Sequence, residues 1–346
     1  MTNATELAAI LHGAAYAPIS AAAASPNQAR AFLRIHGPDA TRWLNGMVTN
    51  NIKDLAPGEG NYNFLLNAQG RIQGDCTIYR EPGGGDTTFL LETGNWQLET
   101  LQQTLDRFII MDDVELEPLN DLFGIIVTGP QSLSIIMELG TANHQAAPCS
   151  PTAHPPQPQT LNLKQTVYAD VPVTLIQAHS PLVPQFEIWS DAATIDAILT
   201  ELRGTSALLT SLDALEVLRI LSATPRYGTD IRNTETAKDL PQETAQTHAL
   251  HFSKGCYLGQ EIVERIHSRG QVHRTFMQFT LTGTLPTLPA PLEANGKTVG
   301  ELTSAAIIPL PEGDTILALG YARREALDRH EPLAYPGGTA TPRAPK

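Results

Sequence analysis

The stretch at residues 254–261, Lys-Gly-Cys-Tyr-Leu-Gly-Gln-Glu, places one thiol between a cation, two glycines and the start of a helical pattern. Because apolar residues after it recur at helical spacing, the sequence predicts a helix that begins near Gly259 or Gln260, just after Cys256. Unpaired backbone N–H groups at a helix N-terminus and the ammonium of Lys254 would both favour the thiolate, which is the nucleophilic form. The stretch therefore predicts a reactive sulfur, although an isolated cysteine is also common as a small buried residue.

The same stretch carries a family resemblance. It fills every fixed position of the K-G-C-[FY]-x-G-Q-E pattern of the folate-binding YgfZ family, which is related to the glycine-cleavage T-protein, an aminomethyltransferase. Residues 262–274, with Arg-Gly at 269–270 and His-Arg at 273–274, continue the likeness. A match of this length around one cysteine is a specific signal. The resemblance implies an α+β protein with the aminomethyltransferase folate-binding fold, in which two mixed α/β subdomains are followed by a C-terminal β-barrel.

The resemblance and the order of predicted elements divide the chain into three parts. Residues 1–270 are the predicted folate-binding region and residues 271–334 the predicted barrel. The tail at 335–346 is rich in Pro, Gly, Thr and Ala, which predicts disorder. Within the first part we expect two interleaved α+β subdomains with approximate boundaries at 1–50 with 120–205, and at 51–119 with 206–270.

Periodicity predicts several elements of this arrangement. Strands at 31–36 and 124–128 are each followed by Gly-Pro and then by a helical pattern, which hints at two similar halves. Strands at 62–66 and 71–79 form a predicted hairpin. The proline-rich stretch 144–160 is a predicted loop. Beyond the motif, short β-like runs separated by Gly and Pro predict a small barrel or sandwich.

Composition narrows the possible functions. The chain has 36 acidic and 23 basic residues among 346, and its net charge of -13 argues against a nucleic-acid partner. Its three cysteines, Cys76, Cys149 and Cys256, are too few and too dispersed for a disulfide framework or a cluster held by this chain alone, so we expect a reducing compartment and no metal site. We expect a cytoplasmic protein without membrane contact, because residues 1–25 fit no leader and no apolar run could cross a bilayer.

The resemblance also implies site residues on two strands. In T-proteins a hairpin strand presents an aspartate to the folate, and Asp75 occupies the matching place. The resemblance therefore implies a catalytic role for Asp75, in addition to the role of Cys256 in the motif. Glu187, in a Phe-Glu-Ile segment, resembles the acidic residue that pairs with the aminopyrimidine edge of the pterin, where a carboxylate accepts two parallel N–H bonds. Each carboxylate would also suit a solvated strand face.

The motif segment supplies the remaining candidates for binding tetrahydrofolate or a one-carbon derivative, namely Lys254, Tyr257, Gln260 and Arg269. A run of positive charge in an otherwise acidic chain is either a solvated face or an anion dock for the glutamate tail of a folate; its members are Lys254, Arg265, His267, Arg269, His273 and Arg274. Arg219, on an apolar helix, is expected to pair with protein carboxylates rather than with a ligand.

Three functions follow from these readings. The first, implied by the resemblance, is a tetrahydrofolate-binding accessory protein that supports assembly or repair of iron–sulfur enzymes, with Cys256 as its working thiol and iron–sulfur client proteins or assembly factors as partners. The second is a folate-dependent aminomethyl or methyl transferase that uses Asp75. The third is a non-catalytic folate sensor or scaffold whose partner binds the basic segment around Arg269.

Overall fold

The structure is a computed structural model that describes residues 4–20, 29–139, 161–235, 237–310 and 313–343. The predicted loop at 144–160 and the last three residues of the predicted tail lie outside these ranges. The described α-helices are α1 (Ala4–His12), α2 (Ala40–Met47), α3 (Asn95–Asp106), α4 (Ser132–Glu138), α5 (Ala192–Leu202), α6 (Leu212–Leu221), α7 (Gln260–Arg269) and α8 (Arg324–Asp328). None of these helices is long and apolar enough to span a membrane.

An eleven-stranded mixed sheet forms the body of the protein. Its strands are β1 (Ala15–Ser20), β2 (Arg30–His36), β3 (Glu59–Leu66), β4 (Ile72–Arg80), β5 (Thr88–Gly94), β6 (Glu115–Leu119), β7 (Phe123–Thr128), β8 (Leu161–Tyr168), β9 (Val171–Gln177), β10 (Gln185–Ser190) and β11 (Leu208–Leu209). They lie in the order β11-β1-β7-β10-β9-β8-β3-β4-β5-β2-β6. The sheet thus has two halves, which meet where β8 pairs with β3.

The two halves of the sheet pack on each other. Phe32 from β2 and Trp189 from β10 meet edge to face, with ring centroids 4.9 Å apart. Around them lies a shared apolar cluster that includes Tyr79 and Ile176, so burial of apolar surface from both halves holds the body together. The space left beside this cluster becomes the cavity described below.

The strand order corrects the predicted subdomain boundaries. Residues 30–36 form β2, which pairs with β5 and β6 and not with the strands between 120 and 205. The reason is the alternation of β2, since Leu33 and Ile35 enter the same core as Ile78 and Phe89 from the neighbouring strands. The grouping of residues 1–50 with 120–205 is therefore wrong for this strand.

The predicted hairpin is confirmed as β3 and β4. Its turn is tight: the Asn67 carbonyl accepts the backbone N–H of Gly70, and Gly70 has φ 69°, a left-handed conformation that favours glycine. The register sets Phe64 opposite Asp75, which carries that carboxylate into the body of the sheet.

Six strands close the predicted C-terminal barrel, and they are β12 (Arg274–Gly283), β13 (Ala290–Ala294), β14 (Lys297–Ile308), β15 (Thr315–Arg323), β16 (Leu333–Tyr335) and β17 (Gly338–Pro342). The prediction of disorder from residue 335 is wrong over 335–342, because β17 pairs with β12 and closes the barrel. The small residues of β17 suit this place, since Ala340 enters the barrel core beside Tyr335 of β16 while Thr339 and Thr341 are exposed. The composition of the tail concealed a strand with few large apolar residues.

A buried polar network joins the barrel to the body. Arg219 on α6 donates to Asp230 Oδ2 at 2.7 Å and to Ser304 Oγ of β14 at 2.8 Å. The other oxygen of Asp230 accepts from Thr303 and Ser304 at 2.5 and 2.7 Å. Arg219 also pairs with Glu216 on its own helix, so the expected pairing of Arg219 with protein carboxylates is confirmed.

Candidate functional site

A cavity of about 270 Å³ lies where α6 covers the space between the two halves of the sheet. Ile19 and Ile126 line it from one half, Tyr79 from the other, and Leu215 from the helix. Of the predicted site residues, Asp75 and Glu187 line this cavity, whereas the five from the 254–269 segment do not. The structure therefore separates the predicted site into two places.

Asp75 is held in place by two side-chain donors. Tyr62 donates to Asp75 Oδ2 at 2.7 Å, and Gln97 Nε2 donates to Oδ1 at 2.6 Å. Burial raises the pKa of Asp75, while the hydrogen bonds from Gln97 and Tyr62 and the charge of Arg30 oppose that rise. The carboxyl is thus oriented, half-buried, and holds a proton more strongly than a solvated aspartate does.

Glu187 lies deeper, with 2% of its surface exposed. It occupies the middle of β10, where Trp189 Nε1 donates to its Oε2 at 3.0 Å. The expected alternative of a solvated glutamate is wrong, because side chains from the opposite half of the sheet pack against β10. A buried carboxylate with few partners is an acceptor for the N–H groups of a ligand.

Sequence reasoning missed a second buried glutamate in the same cavity. Glu92 lies on β5, which the sequence analysis did not predict, and it accepts from the hydroxyl of Tyr79 at 3.2 Å. Arg30 Nε lies 3.1 Å from Glu92 Oε1. The sequence did contain a signal for Glu92, because it directly follows the apolar run Phe-Leu-Leu at 89–91. A carboxylate in a buried strand is costly unless it has partners, so it marks a candidate site.

Flat side chains form two walls of the cavity. Trp96 and Tyr227 stack nearly parallel, at 9° with ring centroids 5.5 Å apart. On another side, His248 stacks on His179 at 5.0 Å and lies 5.6 Å from the ring of Tyr62. Burial lowers the pKa of His248 to about 4, with a further contribution from His179, so the imidazole of His248 is neutral at pH 7. Both walls suit contact with a planar ring.

Arg226 adds positive charge to the cavity wall. Burial and the neighbouring Arg219 lower its pKa, whereas Glu216 raises it. Both arginines pair with Glu216, and Arg219 also pairs with Asp230, so two cations face two anions at this wall. Arg226 is the partly exposed one of the two arginines that line the cavity, and its guanidinium can donate to an anionic group of a ligand there.

The 254–261 motif is attached to the body of the protein, and the ammonium of Lys254 points inward. Lys254 is buried, and its Nζ donates to the carbonyl of Val48 at 2.6 Å and to the carbonyl of Asn50. Burial and, to a smaller extent, the nearby Lys53 lower the pKa of Lys254 to about 7. The expectation that Lys254 contacts the folate or serves the thiol is thus corrected, because backbone carbonyls from a distant loop take its donors.

Two further motif residues anchor the segment to the body. Tyr257 is buried in an apolar cluster with Phe64 and Leu66, so its predicted folate contact is also corrected. At Gly259, which has φ 82°, a Cβ atom would lie 2.5 Å from the carbonyl oxygen of Asn67 in the hairpin turn. Only glycine permits this close approach.

Cys256 and the helix after it face solvent. The predicted helix is confirmed as α7, with Gly259 as its N-cap residue, and Cys256 is exposed three residues earlier. Gln260 is half-buried at the start of α7, and Arg269 is exposed at its end. The thiol is accessible from outside the protein and lies apart from the cavity lining.

The predicted basic run does not form one surface. Arg274 is engaged with Asp239 and Glu243 and lies over the ring of Tyr321, and Lys254 is buried. The exposed members of the run are Arg265, His267, Arg269 and His273. His267 stacks on the exposed Phe252, with ring centroids 3.8 Å apart. An anion dock made by all six residues is therefore wrong, and the four exposed members lie on α7 and just after it.

Replacing Lys254 by Met should destabilise the protein by about 1–3 kcal/mol, because two buried carbonyl groups lose their donor while the length of the side chain is kept. Thermal and urea unfolding at pH 7 would measure the change. Lys53→Met is the matched control, since Lys53 is exposed and only its long-range charge acts on the site. Equal stability of both variants would show that the Lys254 contacts contribute nothing.

The sheet of two packed halves and the closed barrel define a protein of the aminomethyltransferase fold. The solved structure of aminomethyltransferase T of the glycine cleavage system from Bartonella henselae shares this fold, with a TM-score of 0.79, 17% sequence identity, and coverage of 99% of this chain and 88% of that one. The sequence matches the GCVT N-terminal domain family over residues 28–245. The chain belongs to this family.

Curated relatives carry three kinds of name, one of which is aminomethyltransferase, for a protein of Exiguobacterium sibiricum that is 24% identical over 301 residues, covering 86% of this chain and 78% of that protein. The chain is 26% identical over 266 residues to the iron-sulfur cluster assembly factor IBA57 homolog, mitochondrial, of Neurospora crassa, covering 75% of this chain and 54% of that protein. It is 27% identical over 267 residues to the IBA57 factor of Mus musculus, covering 74% and 66%. It is 25% identical over 261 residues to the tRNA-modifying protein YgfZ of Klebsiella pneumoniae, covering 75% and 71%. The chain thus spans about half the length of the Neurospora crassa protein.

Proposed function

We propose that this chain is a tetrahydrofolate-binding accessory protein that supports the assembly or repair of iron–sulfur enzymes, with Cys256 as its working thiol. The observation that carries the folate part is the pair of oriented carboxyl groups, Asp75 and Glu187, in one cavity with flat side chains on its walls. The iron–sulfur part is supported by the relatives named as iron-sulfur cluster assembly factors. Cytoplasmic location stays a prediction, since those relatives are named as mitochondrial.

The residues of the cavity fit a reduced folate. Its aminopyrimidine edge carries an amino group and an adjacent ring N–H, which match the acceptor oxygens of Glu187. The planar part of the molecule would contact the Trp96–Tyr227 wall, and its glutamate carboxylates would lie toward Arg226. When bound, tetrahydrofolate supplies a carrier for one-carbon groups. The protein would bind and orient the ring, and Asp75 would hold or exchange a proton beside it.

The working thiol would act on partners and not inside the cavity. Cys256 is exposed in a loop whose neighbours, Lys254 and Gly259, fix the backbone on the body. The exposed Phe252–His267 pair and Arg265 belong to the same segment, so a partner could contact apolar and basic groups near the sulfur. Because the backbone around Cys256 is fixed and its sulfur is exposed, an iron–sulfur client or assembly factor could reach the thiol.

Folate binding should be visible as stabilisation. At a concentration of 100 times the dissociation constant, a ligand that binds only the folded state adds roughly 2.7 kcal/mol of stability. We expect a rise in melting temperature with tetrahydrofolate or 5-formyltetrahydrofolate, and about tenfold weaker binding by Glu187→Gln, whose amide replaces one acceptor by a donor. Asp196→Asn, on the exposed face of α5, is the control and should bind like the wild type. No shift with saturating reduced folate would refute the folate site.

The transferase is the second candidate, and the environment of Asp75 favours it. A carboxyl with a raised pKa, oriented by Tyr62 and Gln97, suits proton exchange with a substrate. Incubation with a lipoyl-bound aminomethyl donor and tetrahydrofolate separates the two functions. Turnover that Asp75→Asn abolishes and Cys256→Ala spares would establish the transferase; no turnover leaves the accessory function as the better account.

A further inference from the structure

Two buried glutamates from opposite halves of the sheet line the same cavity. Glu92 comes from β5 and Glu187 from β10, and both line the cavity, with 8% and 2% of their surfaces exposed. The negative charge of Glu187 acts directly on the carboxyl of Glu92. The proposed folate function uses Glu187 as an acceptor and leaves Glu92 without a role.

The groups around Glu92 do not neutralise both carboxylates. Arg30 of β2 pairs with Glu92 and also acts on Glu187 and Asp75, so one cation is shared among three acids. From β4, Tyr79 donates to Glu92, and the buried thiol of Cys76 lies close enough to sense the charge of Glu92. Burial, followed by the charge of Glu187, raises the pKa of Glu92 to about 7 against these opposing contacts.

The two glutamates differ in their hydrogen-bond partners. Trp189 Nε1 donates to Glu187, so the carboxyl of Glu187 is an acceptor in this contact. Tyr79 can donate to Glu92 Oε2 whether or not that oxygen is protonated, because a carboxylic O–H keeps a lone pair. Glu92 can therefore carry a proton without losing its contact with Tyr79.

We propose that Glu92 and Glu187 together select a 2-amino-4-oxopyrimidine ring by binding two adjacent edges of it, Glu187 as an acceptor and Glu92 as a protonated donor. This rests on the proposed function, which supplies the ring. The amino group of such a ring lies between a ring N–H and a bare ring nitrogen. Glu187 accepts from the N–H and the amino group, while the protonated Glu92 donates to the bare nitrogen and accepts from the amino group.

The proposal predicts that ligand binding takes up a proton at high pH and weakens as the pH rises. Above pH 7 the free protein has lost the proton of Glu92, so binding must take up one proton from solvent for each ring bound. Affinity should be level between pH 6 and 7 and should then fall, approaching about tenfold per pH unit by pH 9. A single ionised carboxylate as the only acceptor would show no such fall.

Calorimetry with 5-formyltetrahydrofolate tests this. Titrations at pH 6, 7, 8 and 9, each in two buffers of different ionisation enthalpy, give both affinity and protons taken up. Glu92→Gln carries a permanent amide donor in place of the protonated carboxyl, so it should bind with a flat pH profile and exceed the wild type at pH 9. Glu81→Gln is the matched control, because Glu81 is a buried glutamate that pairs with Arg34 away from the cavity, and it should keep the wild-type slope.

A second measurement needs no ligand. A carboxyl whose pKa is higher in the folded than in the unfolded chain holds its proton more tightly when folded, so its stability contribution is complete below the unfolded value of about 4.5 and is lost as the pH rises to about 7. The melting temperature of the wild type should therefore fall relative to Glu92→Gln between pH 5 and 7 and stay at a constant difference above pH 7. Glu81→Gln, which keeps Glu92, should follow the wild type through this window.

The outcomes separate the two proposals. Binding by the wild type with no proton uptake, or with the same pH slope in Glu92→Gln, overturns the carboxyl pair and leaves the folate site standing. No binding by the wild type or by Glu81→Gln overturns the folate site and the ring selection with it. A flat profile in Glu92→Gln alone, with proton uptake near one in the wild type at pH 9, supports the pair.

Discussion

Replacing Asp230 by Ala should destabilise the protein by about 3–5 kcal/mol, the usual cost of removing one partner from a buried ion pair. The carboxylate of Asp230 is completely buried between the body and the barrel. It accepts from Arg219, from the backbone N–H of Arg226 at 2.9 Å, and from the hydroxyl groups of Thr303 and Ser304. After its removal, the guanidinium of Arg219 and two hydroxyl groups of β14 would remain buried with fewer acceptors.

Urea and thermal unfolding at pH 7 would measure this loss, followed by tryptophan fluorescence and by circular dichroism because a chain with a separate barrel need not unfold in one step. Asp196→Ala is the control, since Asp196 is exposed on α5 and its loss should change stability by less than about 0.5 kcal/mol. If Asp230→Ala unfolds like the control, the junction depends on apolar packing alone. If only the barrel transition moves, the network stabilises the docking of the barrel and not the body.

This network shows what local sequence patterns predict well. The apolar spacing of 212–221 predicts α6, and a charged residue on its buried side requires a partner, so the pairing of Arg219 follows from the sequence. The backbone after α6 turns at this point, where the Asp230 N–H donates to the carbonyl of Arg226. The buried position of Asp230 was not predictable, because its partners Thr303 and Ser304 lie more than 70 positions away.

In the candidate site, too, contacts between residues far apart in the sequence were not predictable. The family resemblance identified Asp75 and Glu187, and the structure places both in one cavity. Lys254 was predicted to face the thiol because the two are neighbours in sequence, yet the acceptors for its ammonium are Val48 and Asn50, about 200 positions earlier. Side-chain direction in a loop depends on what packs against it, and spacing along the chain does not contain that information.

Glu92 was missed for a related reason. Its strand has no alternation, because β5 is buried on both faces, and a short apolar run of that kind cannot be assigned to a strand or a helix by periodicity. Its importance appears only when β10 brings a second glutamate to the same cavity from almost 100 positions later. Pairs of interacting acids are a property of the fold, and the sequence contains only their separate members.

Replacing Cys256 by Ser should remove most of the biological activity while leaving the fold and folate binding unchanged. The side chain is exposed, so the change of one atom should alter the unfolding free energy by less than about 0.5 kcal/mol. The hydroxyl of serine is a much weaker nucleophile and metal ligand than a thiolate. We expect at least about a tenfold loss of iron–sulfur enzyme activity when the variant replaces the wild-type protein in cells that lack it, since the sulfur is the proposed working group.

Cys76 provides the internal comparison for this experiment. It is 2% exposed, and burial raises its thiol pKa well above the ordinary value, so the thiolate is scarce. Brief alkylation of the native protein, mapped by mass spectrometry, should label Cys256 and spare Cys76. Cys76→Ala should lower stability through lost packing and yet retain activity in proportion to the folded fraction. Full activity of Cys256→Ser would exclude the working thiol. If Arg269→Glu then lost activity, the protein would be a scaffold that acts through the exposed basic end of α7. If Cys256→Ser and Arg269→Glu both kept full activity, the function would lie in the cavity alone.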